Sequence, residues 1–217
     1  MAEWLNSAFS GLDKAVTLGV DNLRCGFFNF ISLFMAYLGK GGIFFIVVSI
    51  LLLLFRRTRK AGLSSLLAIG VGALLVNVIL KPLVARPRPY TTGGEFFSVW
   101  ERAGKHLEKE FSFPSGHTNV AMTTATALFL CFNKKWSWSL LFIVPIMGLS
   151  RIYLGVHYFT DVLGGVIMGG IAGVIGYYLG KLIFSKIEKH LDKKFCKFFL
   201  SADICSLFKK GSVTNSD

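Results

Sequence analysis

The chain has 217 residues, 53% of them hydrophobic and only 17% charged, with a mean hydropathy of +0.58. Soluble domains carry about 25% charged residues, so the composition excludes an ordinary soluble or disordered protein and points to one integral membrane domain. Lys and Arg number 24 against 12 acids, a net charge of +12. In a soluble chain that excess would suggest nucleic acid; here its placement relative to the apolar runs decides.

Residues 1–40 carry Asp13, Lys14, Asp21 and Arg24 before an aromatic stretch, Phe27 to Leu38. That stretch is short for a span, which needs about 20 apolar residues, so it reads as an interfacial or re-entrant segment. No basic leader with a small-residue cleavage site opens the chain, and no cleaved signal peptide is expected. Five apolar runs follow: Tyr37 to Phe55, Leu63 to Leu80, Thr118 to Phe132, Trp136 to Leu149 (continuing towards Tyr153) and Val162 to Phe184. The expected fold is all-α, an integral membrane bundle of about five to six transmembrane helices, with its main body spanning 41–184.

Between the second and third runs, Phe96, Trp100, Ala103, Leu107 and Phe111 recur at helical spacing among charged residues. This predicts an amphipathic helix on the membrane surface. In the fifth run Gly165, Gly169 and Gly173 recur every four residues, a face on which a neighbouring helix can pack closely. From residue 185 to 217 the tail is basic: Ile187, Leu191, Phe195 and Phe198 share a face flanked by Lys186, Lys189, Lys193, Lys194 and Lys197. It suits anionic lipids of a cytoplasmic leaflet better than nucleic acid. Cys25, Cys131, Cys196 and Cys205 lack paired metal-ligand spacing and read as free thiols.

Five spans put the termini on opposite sides. With three cations assigned to a site below, seven Lys and Arg remain on the N-terminal side against fourteen on the other. The positive-inside rule then makes the C-terminus cytoplasmic and the loops 81–117 and 150–161 exoplasmic.

Those two loops hold three polar clusters. Lys81, Arg86 and Arg88 stand in a proline-stiffened stretch ending at Pro89, suited to an anion. Phe113-Pro-Ser115-Gly116-His117 precedes an apolar helix, whose first-turn amides are free to meet an anion and which Ser115 can cap. Ser150-Arg151 leads to His157 and Asp161, four apart; a carboxylate on one imidazole nitrogen leaves the other basic and nucleophilic. With one carboxylate among many cations no metal or other cofactor is implied, and a phosphate is the obvious ligand.

These three clusters resemble the tripartite signature of the type 2 phosphatidic acid phosphatases, a superfamily of lipid phosphatases. Lys81 to Pro89 matches Lys, six residues, Arg-Pro; Pro114 to His117 matches Pro-Ser-Gly-His; Ser150 to Asp161 matches Ser-Arg, five residues, His, three residues, Asp. The resemblance covers roughly residues 40–184. It departs from the common six-span pattern in showing five clear spans.

The resemblance implies that His157 attacks phosphorus, Asp161 fixes its tautomer, and His117 protonates the leaving oxygen and then activates water. Lys81, Arg88, Ser115, Gly116 and Arg151 would hold the phosphoryl oxygens. Arg86 falls in the variable spacer and is no more than a helper. The substrate is expected to be a lipid phosphate in the bilayer, undecaprenyl diphosphate first, with phosphatidylglycerophosphate and lipid A 1-phosphate as rivals. A lipid phosphotransferase is the alternative enzyme class. A transporter is disfavoured, because no charge stands in the middle of a span (Lys40 and Lys181 lie near span ends) and no repeat is visible.

Overall fold

A computed structural model describes residues 1–190, and every regular element among them is helical. In chain order these are α1 (Ala2–Asp21), α2 (Gly26–Gly39), α3 (Ile43–Leu54), α4 (Arg59–Ala73), α5 (Lys81–Val84), α6 (Gly94–Arg102), α7 (Gly116–Cys131), α8 (Lys134–Ser137), α9 (Ile143–Tyr153) and α10 (Phe159–Lys189). Four stretches are long and apolar enough to cross a membrane: Gly26–Leu54, Arg59–Thr91, Lys134–Tyr153 and Phe159–Lys189. The chain is a multi-pass membrane protein. The expected tail helix beyond His190 and the thiols Cys196 and Cys205 lie outside the described residues.

The spans differ from the sequence expectation in two places. The aromatic stretch expected to be interfacial or re-entrant is α2, which joins α3 in one candidate span. The join is a tight turn at Lys40–Gly42, where Gly41 and Gly42 take φ of +60° and +68°. Only glycine adopts this backbone without strain, so the apolar run continues past the break that Lys40 suggests. The expected third span is α7, of 16 residues. It is shorter than the four stretches above and sits inside the bundle, against α4, α9 and α10, with Thr118 to Ala121 and Thr123 to Leu128 all buried.

The glycine face of α10 is the reason α7 and α4 approach so closely. A Cβ placed on Gly165 or Gly169 would stand 2.7 Å from the carbonyl oxygen of Ser115 or Asn119 on α7, and one on Gly176 only 2.3 Å from Ala68 Cα on α4. Apolar contacts complete the bundle. Phe45, Val120, Ala121 and Met147 join α3, α7 and α9. Trp100, Ala103, Tyr153, Leu154 and Val156 clamp α6 onto the loop that carries His157.

The surface helix expected to run to Phe111 ends at Arg102. Gly104 takes φ +95°, and the amides of Gly104 and Lys105 donate to the carbonyls of Glu101 and Trp100. This pair of bonds closes the helix and turns the chain. Residues 105–111 then run back over the end of the bundle, so Leu107 and Phe111 are not on the helix.

Candidate active site

The second span changes pitch at residues 74–80, which form a π turn between α4 and α5. Such turns recur at functional sites. Here the turn delivers Asn77 and Lys81 to a cavity of about 480 Å³. Lys81, Arg88, Gly116, His117, Arg151 and His157 all line it. The three clusters, up to 80 residues apart in the chain, therefore meet in one place.

His157 lies one residue before Tyr158, the N-cap of α10, and Asp161 lies in that helix's first turn. Asp161 Oδ2 accepts the Tyr158 amide at 2.9 Å and the Ser112 hydroxyl, and lies 3.4 Å from His157 Nδ1. The carboxylate is thus held by stronger donors and reaches the imidazole loosely. On the other side of the ring, Nε2 is 3.0 Å from Arg88 Nη1. A guanidinium can only donate, so Nε2 accepts and the proton sits on Nδ1, facing Asp161. Burial, and the charges of Arg88, Arg151 and Lys81, hold the His157 imidazolium well below the ordinary histidine range. The ring is neutral, with its lone pair turned into the cavity's cations.

Arg88 is anchored by the carbonyls of Glu110 (2.9 Å) and Val156 (2.8 Å). Lys81 pairs with the Glu110 carboxylate, and Arg151 with Glu108 at 2.5 Å. Arg151 Nε is buried without a partner among the described residues. Gly116 begins α7, and a Cβ there would stand 3.6 Å from Lys81 Nζ. Its missing side chain keeps the helix N-terminus open towards the cation. His117 Nε2 donates to the Ala36 carbonyl at 3.2 Å, with the ring against Gly39 of α2. Ser115 is the N-cap by position, but its hydroxyl does not cap an amide. It accepts from Thr118 Oγ1 at 3.2 Å, while its own amide donates to the Asp161 carbonyl at 2.9 Å. The expected hydroxyl cap is replaced by a backbone tie between the second and third clusters.

The PAP2 superfamily model matches residues 61–184, more than half of the chain. The chain belongs to the PAP2 superfamily. Several of its relatives are named phosphatases. The chain is 32% identical over 138 residues to an undecaprenyl-diphosphatase of Sulfolobus acidocaldarius, covering 62% of this chain and 64% of the relative. It is 28% identical over 200 residues to phosphatidylglycerophosphatase B of Bacillus subtilis, covering 86% and 90%. The crystal structure of a transmembrane PAP2-type phosphatidylglycerolphosphate phosphatase from Bacillus subtilis superposes with a TM-score of 0.60 at 29% identity, over 87% of this chain and 89% of that one. As a PAP2 member the protein is a membrane phosphatase, a hydrolase of phosphoric ester bonds.

Around the PAP2 motifs stand residues that the sequence reading passes over. Arg86, set aside as a helper, is fully buried and bonded to Asp161 Oδ1 at 2.6 Å. Asp13, Ser112, Glu108 and Glu110 each touch a motif residue or Arg86. Their only sequence signal is an acid or hydroxyl near an apolar face, which surface residues share. Among the described residues no group of three His, Cys, Asp or Glu is placed to hold a metal ion.

Proposed function

We propose that the protein hydrolyses a lipid phosphate through a phosphohistidine on His157, without a metal. The observation that supports this most directly is the Nε2 lone pair of a neutral His157, aimed at Arg88 and backed by Asp161. Nε2 attacks phosphorus in line, and the bond from phosphorus to the lipid-side oxygen breaks. His117, on the α2 side of the cavity, gives that oxygen a proton. The negative charge of a bound phosphate favours the protonated form of His117 at that step. Water then attacks the phosphohistidine as His117 takes its proton back, releasing inorganic phosphate and free His157. Lys81, Arg88, Arg151 and the Gly116 amide hold the equatorial oxygens, where charge gathers in the transition state. Ser115 fixes the loop through its backbone.

The site opens exoplasmically in this reading, with the C-terminal tail on the cytoplasmic leaflet. Undecaprenyl diphosphate, cleaved to undecaprenyl phosphate, is the preferred substrate, because carrier recycling needs a phosphatase on that face. Phosphatidylglycerophosphate is the second reading, favoured by the long match to a phosphatidylglycerophosphatase. The test is phosphate release in detergent with EDTA, from undecaprenyl diphosphate, phosphatidylglycerophosphate, lipid A 1-phosphate and phosphatidic acid in turn. Release from one lipid, unchanged by EDTA and absent in His157→Ala, supports the reading and names the substrate. Folded protein that only transfers phosphate to a second lipid would replace hydrolase with transferase.

A further inference from the structure

Behind the His157–Asp161 pair lies a second carboxylate that none of the three motifs contains. Asp13 comes from α1 and is 1% exposed; Arg86 is 0% exposed and stands between the two acids. Arg86 Nη2 donates to Asp13 Oδ2 at 2.8 Å, and Nη1 to Asp161 Oδ1 at 2.6 Å. Its Nε donates to Asn6 Oδ1 at 2.8 Å, and its Cζ lies 3.8 Å from the centre of the Tyr158 ring. Thr160, beside Asp161, donates its amide to Asp13 Oδ1 at 2.9 Å and its hydroxyl to Oδ2 at 2.8 Å. An acid on α1 is therefore bonded both to the arginine that holds Asp161 and to the backbone of the turn that carries it.

The charges give this arrangement a purpose. Attack by His157 puts positive charge on its ring. Lys81, Arg88 and Arg151 face that ring from α5, the Pro-rich loop and α9, and all oppose the charge; Glu110 and Glu108 on the segment after α6 offset Lys81 and Arg151 in part, Arg88 has no carboxylate partner among the contacts described above, and Lys40, His106 and His117 line the same cavity. Among the described residues Asp161 is the one acid touching the ring, and Arg86 on its far oxygen would cancel it. With Asp13 on Arg86 the buried trio carries a net charge of −1 instead of zero. We propose that Asp13 is a positioning residue for phosphoryl transfer: it orients Arg86 and offsets its charge, so that Asp161 keeps a negative field on His157. This rests on His157 being the nucleophile, and it makes α1 part of the active site.

A plain structural pin would also bury these contacts, so the test changes charge and shape separately. Asp13→Asn removes the charge and keeps an oxygen for the Thr160 amide. Arg86→Gln with Asp13→Asn restores a net −1. Full-length proteins in detergent are compared on undecaprenyl diphosphate and phosphatidylglycerophosphate, with His157→Ala as control. The expected result for Asp13→Asn is a fall in kcat of about ten- to a hundredfold, the size seen when groups supporting a ligand shell are lost, with KM nearly unchanged. Phosphoenzyme formation after rapid quench slows by the same factor, and the acid limb of kcat moves to lower pH. The double variant recovers part of the loss, and Asp13→Glu most of it. Asp13→Asn with wild-type kcat and pH profile, while His157→Ala is dead, overturns the assignment. A double variant no better than the single overturns it too, because a pin gains nothing from a second cut. If Asp13→Asn does not fold, the double variant decides: turnover within about tenfold of wild type supports the charge count, and none refutes it. Turnover surviving in His157→Ala removes the nucleophile reading, and this inference with it.

Discussion

The Glu110 carboxylate is paired with the Lys81 ammonium at the cavity that gathers Lys81, Arg88 and Arg151. Glu108 does the same to Arg151. Both acids sit on the strand of chain that runs back after α6, so one segment covers two cations at once. The Lys81 ammonium holds the Glu110 carboxyl below the usual carboxylate range, and the pair stays charged at neutral pH. In the proposed reaction a phosphate displaces it. Glu110→Gln is therefore expected to tighten inhibition by inorganic phosphate or vanadate several-fold, an effect on the order of 1 kcal/mol for a half-exposed pair. Weaker inhibition would show that Glu110 helps to hold the anion.

His157 supplies a pH dependence of stability. Its folded-state titration lies well below the ordinary value of 6.5, so between those points only the unfolded chain takes up the proton. Stability is then complete above about pH 6.5 and falls as pH drops below it, by at most about 1.4 kcal/mol per pH unit for one group. Thermal melts in detergent between pH 7.5 and 5.5 should show a larger drop for the wild type than for His157→Asn. Parallel melts would mean that the ring is not held neutral.

Trp100 and Phe111 separate packing from membrane contact. Trp100 is 8% exposed, stacks on Tyr90 at 4.6 Å and donates to the His106 carbonyl at 2.7 Å. Trp100→Ala should cost about 3–5 kcal/mol and reduce turnover, because it releases the segment bearing Glu108 and Glu110. Phe111 is 47% exposed, and Phe111→Ser should leave the melting temperature nearly unchanged. A change in KM for long-chain lipid in that variant would place the tail beside it.

Gly176→Ala tests the seam of α10. Its Cβ would press on Ala68 of α4 at 2.3 Å, and overpacking of this kind costs about 1–3 kcal/mol. Gly170→Ala, whose Cβ would meet only the end of Met122 at 3.5 Å, is the control and should melt as wild type.

The reach of sequence reading follows the range of each signal. Lys81, Arg88, His117, Arg151 and His157 are legible because short spacings hold them, and all line one cavity. The glycine repeat of α10 is legible for the same reason. Asp13 and Arg86 are not, because their pairing joins residues 73 apart and each alone looks like a solvated charge. The helix over 96–111 has the right apolar period, yet Gly104 turns the chain at its middle. The span count depends on α7, whose Thr- and Ala-rich sequence suits a helix surrounded by protein rather than lipid.

The glycine seam also decides which parts of the bundle can adapt to a lipid. Along α10 the backbones of α7 and α4 lie too close to slide past without collision. His157, Asp161 and the start of α7 are therefore tightly coupled, with the Ser115 amide bonded to the Asp161 carbonyl. The opposite wall is made by the Lys40–Gly42 turn and Gly39 against His117, with two flexible glycines in it. In the proposed reaction, accommodation of a bulkier headgroup falls on that wall, beside His117, while His157 keeps its place.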